Sequence, residues 1–249
     1  MLDEISLLGV KLTNATEKEV LEYITKSIEN SSKKYYIVTP NPEILVYANN
    51  NISFKEILNN AKLALIDGVG IILAGKVLGK NIKQRITGAD LMESLCKEIS
   101  ASNAAAAKKP ITVGFLGGGP KVAEKSAECL QKKYPGLKVV FADQEPDKLL
   151  KSLKEPKLLM DILFVAFGFP KQEQWIAENL DKIPVKVAMG VGGAFDYISG
   201  NVPRSPVFIR KLGLEWLFRL IIQPWRLKRQ LALFKFIYLV LREKLKSKD

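Results

Sequence analysis

Short apolar runs alternate with helical patterns over most of the 249-residue chain. The candidate strands cover residues 5–12, 35–38, 64–66, 111–116, 137–141, 161–167 and 185–189. Between them, apolar residues recur at helical spacing, mainly over 16–28, 42–60, 70–78, 90–100, 120–134, 146–153 and 170–180. Strands that alternate with helices are typical of βαβ units. The pattern therefore predicts an α/β fold with a Rossmann-like, mostly parallel sheet flanked by helices.

Two of the apolar runs end abruptly in polar residues. The first is followed by Thr39 and Asn41, each placed before a proline, and the second by Asp67. Ligands of open α/β sheets bind outside the carboxyl ends of strands, so we expect Thr39, Asn41 and Asp67 to line one pocket. Pro42 suits the first position of a following helix. The alternative interpretation is that these side chains only form turns or cap helices.

The C-terminal region has a different character. We predict one helix over 206–222, with Lys211, Glu215 and Arg219 on one face, and a second helix from Trp225 onward. The apolar run at 231–241 is too short to cross a bilayer, which takes about 20 residues. We therefore divide the chain into an α/β core, 1–200, and a helical appendage, 201–249. Residues 101–109, rich in alanine, are interpreted as an exposed connection without a function.

The appendage also carries most of the net charge of +12. Residues 204–249 contain twelve Lys or Arg and three Asp or Glu, a balance of +9, which leaves +3 for the rest. A basic helix rich in Trp, Phe and Leu is suited to the membrane interface. We predict peripheral binding to an anionic membrane surface, the inner face of the cell membrane. The alternatives are a core or oligomer helix with a solvated basic face, and a homo-oligomer that covers the apolar tail off the membrane. No nucleic-acid recognition motif accompanies the charge, so no nucleic acid partner is predicted.

The composition limits the chemistry. The chain has no histidine, which excludes Ser-His-Asp and Cys-His catalysis. Proton transfer near neutral pH then falls most plausibly to a carboxylate, and Asp67 is the candidate. The two cysteines, Cys96 and Cys129, lie far apart in predicted helices. This does not suggest a disulfide framework, and with no basic signal-peptide region we expect a cytoplasmic protein.

Two glycine-containing turns lie between strands and helices. The run 117–119 fits neither a P-loop nor a dinucleotide fingerprint, because Pro120 and Val122 stand at required positions. One interpretation is that this run contacts a phosphate or a sugar. The other is that it forms only a tight turn. The turn at 168–173 carries Lys171 and Gln172, which are candidates for the same kind of contact. The alternative interpretation is that they belong to a solvated first helical turn. No carboxylate cluster has metal spacing, so we predict no metal and no cofactor, with arginines in their place.

Several motifs together resemble the WecG/TagA/CpsF family of bacterial glycosyltransferases. They are Thr39–Glu43, Asp67–Gly70, Arg85–Asp90, Phe115–Gly118, Phe167–Glu173, Gly190–Asp196, Arg204–Pro206 and Gly213–Arg219. The resemblance covers nearly the whole chain in order. The Ala-rich stretch 101–109 is the visible departure, and it lies away from the motifs.

The resemblance implies a reaction of wall teichoic acid synthesis. N-acetylmannosamine would pass from its UDP donor to the 4-hydroxyl of GlcNAc on undecaprenyl diphosphate, with inversion. Asp67 would be the base, and Thr39 and Asn41 would position sugar hydroxyls. The remaining predicted substrate-binding residues are Arg85 and Gln172 for the donor, Asp196 in the last glycine motif, and Arg219, Arg226 and Arg229 for diphosphate charge. Other readings are a uronic acid or hexosyl transferase and a non-catalytic nucleotide-sugar-binding regulator tethered to membranes.

Overall fold

A computed structural model of the protein describes residues 2–30, 33–105, 109–152 and 159–246. The described chain contains eight strands: β1 Asp3–Leu7, β2 Val10–Asn14, β3 Tyr35–Val38, β4 Leu63–Ala64, β5 Thr112–Gly117, β6 Lys138–Asp143, β7 Met160–Ala166 and β8 Val185–Gly190. Strands β3 to β8 form one parallel sheet in the order β4-β3-β8-β7-β5-β6. The predicted α/β class with a mostly parallel sheet is confirmed.

Helices cover the sheet and extend past it. In chain order they are α1 Glu17–Asn30, α2 Pro42–Asn50, α3 Ile52–Asn60, α4 Val69–Val77, α5 Gly88–Ala105, α6 Val122–Lys133, α7 Pro146–Ser152, α8 Lys171–Asn179, α9 Ala194–Ile198, α10 Val207–Lys211, α11 Glu215–Ile222 and α12 Leu227–Lys246. Helix α1 begins with a capping box, in which Glu19 Oε2 accepts from the backbone N–H of Thr16 at 2.7 Å. Helix α5 runs further than predicted and takes in residues 101–105 of the supposed connection, whereas 106–108 lie outside the described residues.

The single strand predicted over 5–12 is wrong. Strands β1 and β2 form an antiparallel hairpin as a separate two-stranded sheet. The turn between them falls at Leu8 and Gly9, which adopt φ angles of 53° and 76°. A left-handed turn inside an apolar run is hard to foresee, because only Gly9 signals it in the sequence.

The central strands are buried on both faces, as a parallel sheet requires. In β7, Leu163 and Val165 pack into one apolar cluster, and Ile162 and Phe164 into another. Alternate residues of a strand point to opposite faces, so the two clusters are the two sides of the sheet. These clusters hold the strand ends, and therefore the loops that follow them, in fixed positions.

The C-terminal region departs from its prediction in one place. The helix expected over 206–222 is divided into α10 and α11 by Gly213, whose φ is +74°. A Cβ at Gly213 would lie 3.0 Å from the side chain of Val69, so the close approach to α4 also favours glycine. Lys211 consequently does not belong to the helix that carries Glu215 and Arg219.

Helix α12 follows a 3-10 turn over Pro224–Arg226 and packs against α2 and α4. Phe236, Leu239 and Val240 on its inner face are buried in the same apolar cluster as α2 and α4. No helix within the described ranges is long and apolar enough to cross a membrane. Helix α12 therefore joins the core along one face, whatever its other face contacts.

Candidate active site

One large pocket lies at the carboxyl ends of the parallel strands and has a volume of about 1360 Å³. Its walls come from the loops after β3, β4, β7 and β8 and from the C-terminal helices. The site residues proposed from the sequence all line it: Thr39, Asn41, Asp67, Arg85, Gln172, Asp196, Arg219, Arg226 and Arg229. The structure thus brings these residues together, although their individual roles remain predictions.

Asp67 is held beside the Thr39 turn by an extension of the β3–β4 pairing. The backbone N–H of Leu65 donates to Val38 O at 2.8 Å, and that of Asp67 donates to Pro40 O at 3.0 Å. Gly68 then turns the chain with a φ of +108°, a conformation that other residues rarely adopt. Two strand ends that are apart in the sequence therefore present their polar residues side by side.

The environment of Asp67 suits a general base. The pKa of its carboxyl is raised to about 7, mainly by burial and also by the negative charges of Glu215 and Asp90. The positive charge of Arg85 and a hydrogen bond from the backbone of Gly88 oppose the shift. A carboxyl with a pKa near the working pH is partly ionised there and holds a proton strongly once it has taken one.

Asn41 has a structural role that the sequence also allowed. Its side-chain Oδ1 accepts from the backbone N–H of Ile44 at 3.0 Å and caps α2, which begins at Pro42. The cap fixes the side chain at the pocket wall and leaves its amide N–H₂ with no hydrogen-bond acceptor in the described protein. Asn41 can therefore cap the helix and donate to a sugar oxygen at the same time.

Three arginines from the C-terminal region form one cationic wall. The Arg219 guanidinium lies over the ring of Tyr197, 5.1 Å from its centroid, and Arg219 Nε donates to Gln223 at 3.1 Å. Arg229 pairs with Glu43 through three contacts of 2.5–2.9 Å, which tie α12 to the start of α2. The wall is therefore attached to the Thr39 turn by an ion pair.

Arg226 is the residue of this wall that lacks a partner. Among the described residues it forms no ion pair with a carboxylate. Its pKa is lowered to about 10, mainly by burial and also by the neighbouring positive charges of Arg219 and Arg229. The three guanidiniums share one carboxylate, Glu43, which is already paired with Arg229. An excess of like charge favours an anionic ligand, and arginine forks match phosphate oxygens.

Arg85 and Gln172 are both engaged within the protein. Arg85 Nη2 donates to the carbonyl oxygen of Arg210 at 3.0 Å. The Gln172 amide is buried, with Nε2 donating to Glu173 Oε1 at 2.8 Å and Oε1 accepting from the Gly192 N–H at 3.0 Å. Burial also raises the pKa of Glu173. Gln172 thus positions the Gly190–Gly193 loop, and a direct contact of its amide with substrate stays a prediction.

Sequence reasoning missed three residues that shape the cationic wall: Glu43, Tyr197 and Gly193. In the sequence Glu43 stands out only as the last residue of the Thr39–Glu43 motif, and the ring of Tyr197 carries no signal. A Cβ on Gly193 would lie 2.5 Å from Arg219 Nη2, so the guanidinium rests against the glycine backbone. The Gly190–Asp196 motif contains Gly193, but its contact with a residue of α11 appears only in the fold.

The far end of the pocket is apolar. Between α4 and α12 its walls are formed by aliphatic side chains, namely Leu73, Val77, Leu233, Ile237, Val240 and Leu241. Leu73 and Ile237 are 55% and 49% exposed, so this end opens to the surface. A single ligand in the pocket would therefore meet carboxylate and arginines at one end and an apolar channel at the other.

The described residues contain no group of three or more His, Cys, Asp or Glu that could hold a metal ion. The positive charge available to a substrate in this pocket is that of arginine and Lys171. The chemistry that these side chains support is proton removal by a carboxylate beside a bound, partly neutralised anion.

Known proteins resemble the chain over its whole length. A family model described as "Glycosyl transferase WecG/TagA/CpsF family" matches residues 5–249. Proteins of Staphylococcus aureus strains MRSA252 and NCTC 8325 / PS 47 are 33% identical over 250 residues, which cover 98% of this chain and 95% of each relative. A protein of strain MW2 is 32% identical over the same shares. All three are named "N-acetylglucosaminyldiphosphoundecaprenol N-acetyl-beta-D-mannosaminyltransferase".

Proposed function

The chain belongs to the WecG/TagA/CpsF glycosyltransferase family, and we propose that it transfers N-acetylmannosamine from UDP-N-acetylmannosamine to GlcNAc on undecaprenyl diphosphate. The acceptor oxygen is the 4-hydroxyl and the anomeric configuration inverts. The names of the relatives support the transferred sugar and the acceptor. The diphosphate of the donor is supported by the three arginines of the pocket. The product would be an intermediate of the wall teichoic acid linkage unit.

The observation that carries the proposal is the unpaired Arg226 between Arg219 and Arg229. Bringing three guanidiniums together costs free energy, and a diphosphate repays it by replacing repulsion with charge-assisted hydrogen bonds. In the transfer step the bond between the anomeric carbon and the UDP oxygen breaks, and negative charge grows on that oxygen. Arginines placed there stabilise the leaving group more in the transition state than in the ground state.

Asp67 accounts for the other half of the reaction. The acceptor hydroxyl forms a bond to the anomeric carbon from the face opposite UDP and gives its proton to the Asp67 carboxylate. Thr39, which is 7% exposed, and Asn41 line the same pocket as this carboxylate and would orient sugar hydroxyls. Asp67 on one wall of the pocket thus takes the proton, and the arginines on another wall stabilise the leaving diphosphate.

The apolar end suits the acceptor lipid. A prenyl chain attached to a diphosphate needs an apolar path that begins beside cationic groups, and the channel between α4 and α12 provides one. On its outer face α12 exposes a stripe at spacings of three and four residues: Leu227, Leu231, Phe234, Tyr238, Leu241 and Leu245. Lys235 and Arg242 are also exposed on this helix. Such a helix favours an anionic membrane surface, where the acceptor resides.

The test is UDP release from UDP-N-acetylmannosamine with and without GlcNAc-diphosphate-lipid, in the wild type, Asp67→Asn and Arg226→Gln. We expect acceptor-dependent release that falls at least about a thousandfold in Asp67→Asn. Arg226→Gln should lose both donor affinity and turnover. Lys121→Gln, a change of equal charge on the exposed surface, is the control and should behave as the wild type.

The donor is tested in the same assay by offering UDP-N-acetylmannosaminuronic acid and UDP-GlcNAc in place of UDP-N-acetylmannosamine. Faster turnover of either would assign the enzyme another donor within the family. Absence of release from every donor, with acceptor and anionic vesicles supplied, would contradict the proposal. Tight UDP binding in that case would favour the nucleotide-sugar-binding regulator.

A further inference from the structure

The Asp90 carboxylate contacts both the start of helix α5 and two arginines of the C-terminal region. Its Oδ2 accepts from the Thr87 hydroxyl at 2.6 Å, and its own backbone N–H donates to Thr87 Oγ1 at 3.1 Å. The Thr87 hydroxyl therefore caps the long helix α5, and the Asp90 carboxylate holds that hydroxyl in place. Its other oxygen, Oδ1, accepts from Arg204 Nη2 at 2.7 Å and from Arg210 Nη1 at 3.2 Å. One carboxylate therefore both supports the cap of α5 and holds two arginines of the C-terminal region.

The capped turn leads directly to the candidate base. Gly88, between Thr87 and Asp90, hydrogen-bonds the Asp67 carboxyl through its backbone N–H. A Cβ at Gly88 would also lie 3.3 Å from Thr39 Oγ1, so this turn packs closely on the Thr39 wall. A shift of the cap would therefore move a hydrogen-bond donor of Asp67.

The arginines of the C-terminal region are also linked to the Asp67 carboxyl through Arg85. The carbonyl oxygen of Arg210 accepts from Arg85 Nη2 at 3.0 Å, and the charge of Arg85 acts on Asp67. Arg204 reaches two other carboxylates, Glu93 at 3.9 Å and Glu215 at 3.8 Å, both longer than its contact with Asp90. The shortest link between the C-terminal region and α5 is therefore the Arg204–Asp90 pair.

Asp90, Arg204 and Arg210 form a cluster that depends mainly on the Asp90 carboxylate. The side chains of Arg204 and Arg210 are only 19% and 25% exposed, and Nε of each is buried without a hydrogen-bond partner among the described residues. Removing the carboxylate would leave two partly buried guanidiniums without their closest counter-charge. Losing such a partner costs far more folding free energy than breaking an exposed ion pair.

We propose that Asp90 is a positioning residue that couples docking of the C-terminal region to the orientation of Asp67. With the region docked, Arg204 and Arg210 fix the Asp90 carboxylate, the α5 cap is held, and the Gly88 N–H points at Asp67. The same docking places Arg219, Arg226 and Arg229 at the pocket. The base and the cationic wall are thereby assembled together. The inference rests on the proposed function, because it gives Asp67 the role of base.

Hydrogen exchange tests the coupling without turnover. We compare the wild type with Asp90→Asn and Arg204→Gln, and use Glu98→Gln, an equal charge loss further along α5, as the control. Each of the two cluster variants should raise amide exchange at both ends of the link, in peptides spanning 86–89 and 207–222. Arg204 reaches the Thr87 cap through Asp90, so faster exchange at 86–89 in Arg204→Gln reports transmission along that link. If Arg204→Gln loosens only the C-terminal region and Asp90→Asn only the cap, the inference is wrong.

A double-mutant cycle then tests the consequence for transfer. Asp90→Asn and Arg204→Gln should each lower kcat at saturating donor and acceptor by about tenfold, and the double variant should lose little more than the worse single. Losses that multiply, or an Asp90→Asn enzyme that turns over like Glu98→Gln, would overturn the inference. Failure of the wild type to transfer would instead count against the proposed function, and the exchange result would still decide the link.

Discussion

The backbone N–H of Asp67 donates to the carbonyl oxygen of Pro40 at 3.0 Å. This bond continues the β3–β4 pairing past the last regular pair, Val38 with Ala64. It places the candidate base next to a turn stiffened by two prolines, so neither partner has much freedom to move. A catalytic carboxylate held by the backbone keeps its position when substrate arrives, which lowers the cost of reaching the reactive geometry.

The pH dependence of transfer should report Asp67. With a pKa of about 7, its carboxylate is increasingly protonated below that value, so kcat/KM should fall about tenfold per pH unit on the acid side. Arg85→Gln removes a positive charge that lowers this pKa, so the acid limb should move to higher pH. Lys83→Gln is the matched control, because Lys83 pairs with Asp3 and Glu19 instead. Coincident acid limbs in the wild type and Arg85→Gln would contradict the assignment.

Asp67 should also cost the protein stability at alkaline pH. Its pKa rises from 3.8 to about 7 on folding, so between those values the folded state binds more protons than the unfolded state. The free energy of unfolding therefore falls as pH rises through this window. Asp67→Asn removes the ionisable group and should gain about 2 kcal/mol at pH 8, after allowance for partial solvent access, and little near pH 4. Denaturant unfolding at both pH values measures the difference, and an equal effect at the two would rule this account out.

Gly193→Ala should weaken donor binding through Arg219. The added methyl would lie 2.5 Å from Arg219 Nη2, so the guanidinium must leave its place over Tyr197. We expect a loss of UDP affinity of about tenfold, the typical value of one charge-assisted hydrogen bond. Gly119→Ala is the control, since its Cβ would make only an ordinary 3.5 Å contact at the same pocket. Calorimetric titration with UDP gives both values, and equal affinities would show that Arg219 does not depend on this glycine.

The two faces of α12 should respond differently to substitution. Phe234 is 72% exposed, and Phe234→Ser should reduce binding to anionic vesicles while the melting temperature stays within about 2 °C. Phe236 is 2% exposed, and Phe236→Ala should cost about 3–5 kcal/mol of stability. Vesicle flotation and thermal unfolding of both variants provide the comparison. Vesicle binding unchanged in Phe234→Ser, with the protein folded, would argue against the exposed stripe as the membrane contact.

Much of the architecture could be predicted because it follows local rules. Strand β3 has the predicted bounds, since four apolar residues stop at a Thr-Pro-Asn-Pro turn that cannot continue a strand or a helix. The pocket location follows from parallel pairing, which brings strand ends to one edge. The hairpin of β1 and β2 and the break at Gly213 were missed, because both depend on a left-handed residue whose neighbours only the fold supplies.

The sequence alone determined the α/β class, the residues at the strand ends and the basic, apolar character of the C-terminal region, because periodicity, proline turns and charge are local properties. The tertiary structure decided which groups meet. Arg229 reaches Glu43 across 186 residues, and Arg204 reaches Asp90 across 114. The pKa of Asp67 likewise depends on burial and on charges from distant segments. Electrostatic energy depends on distance and solvent access, and neither can be read from the order of residues along a chain.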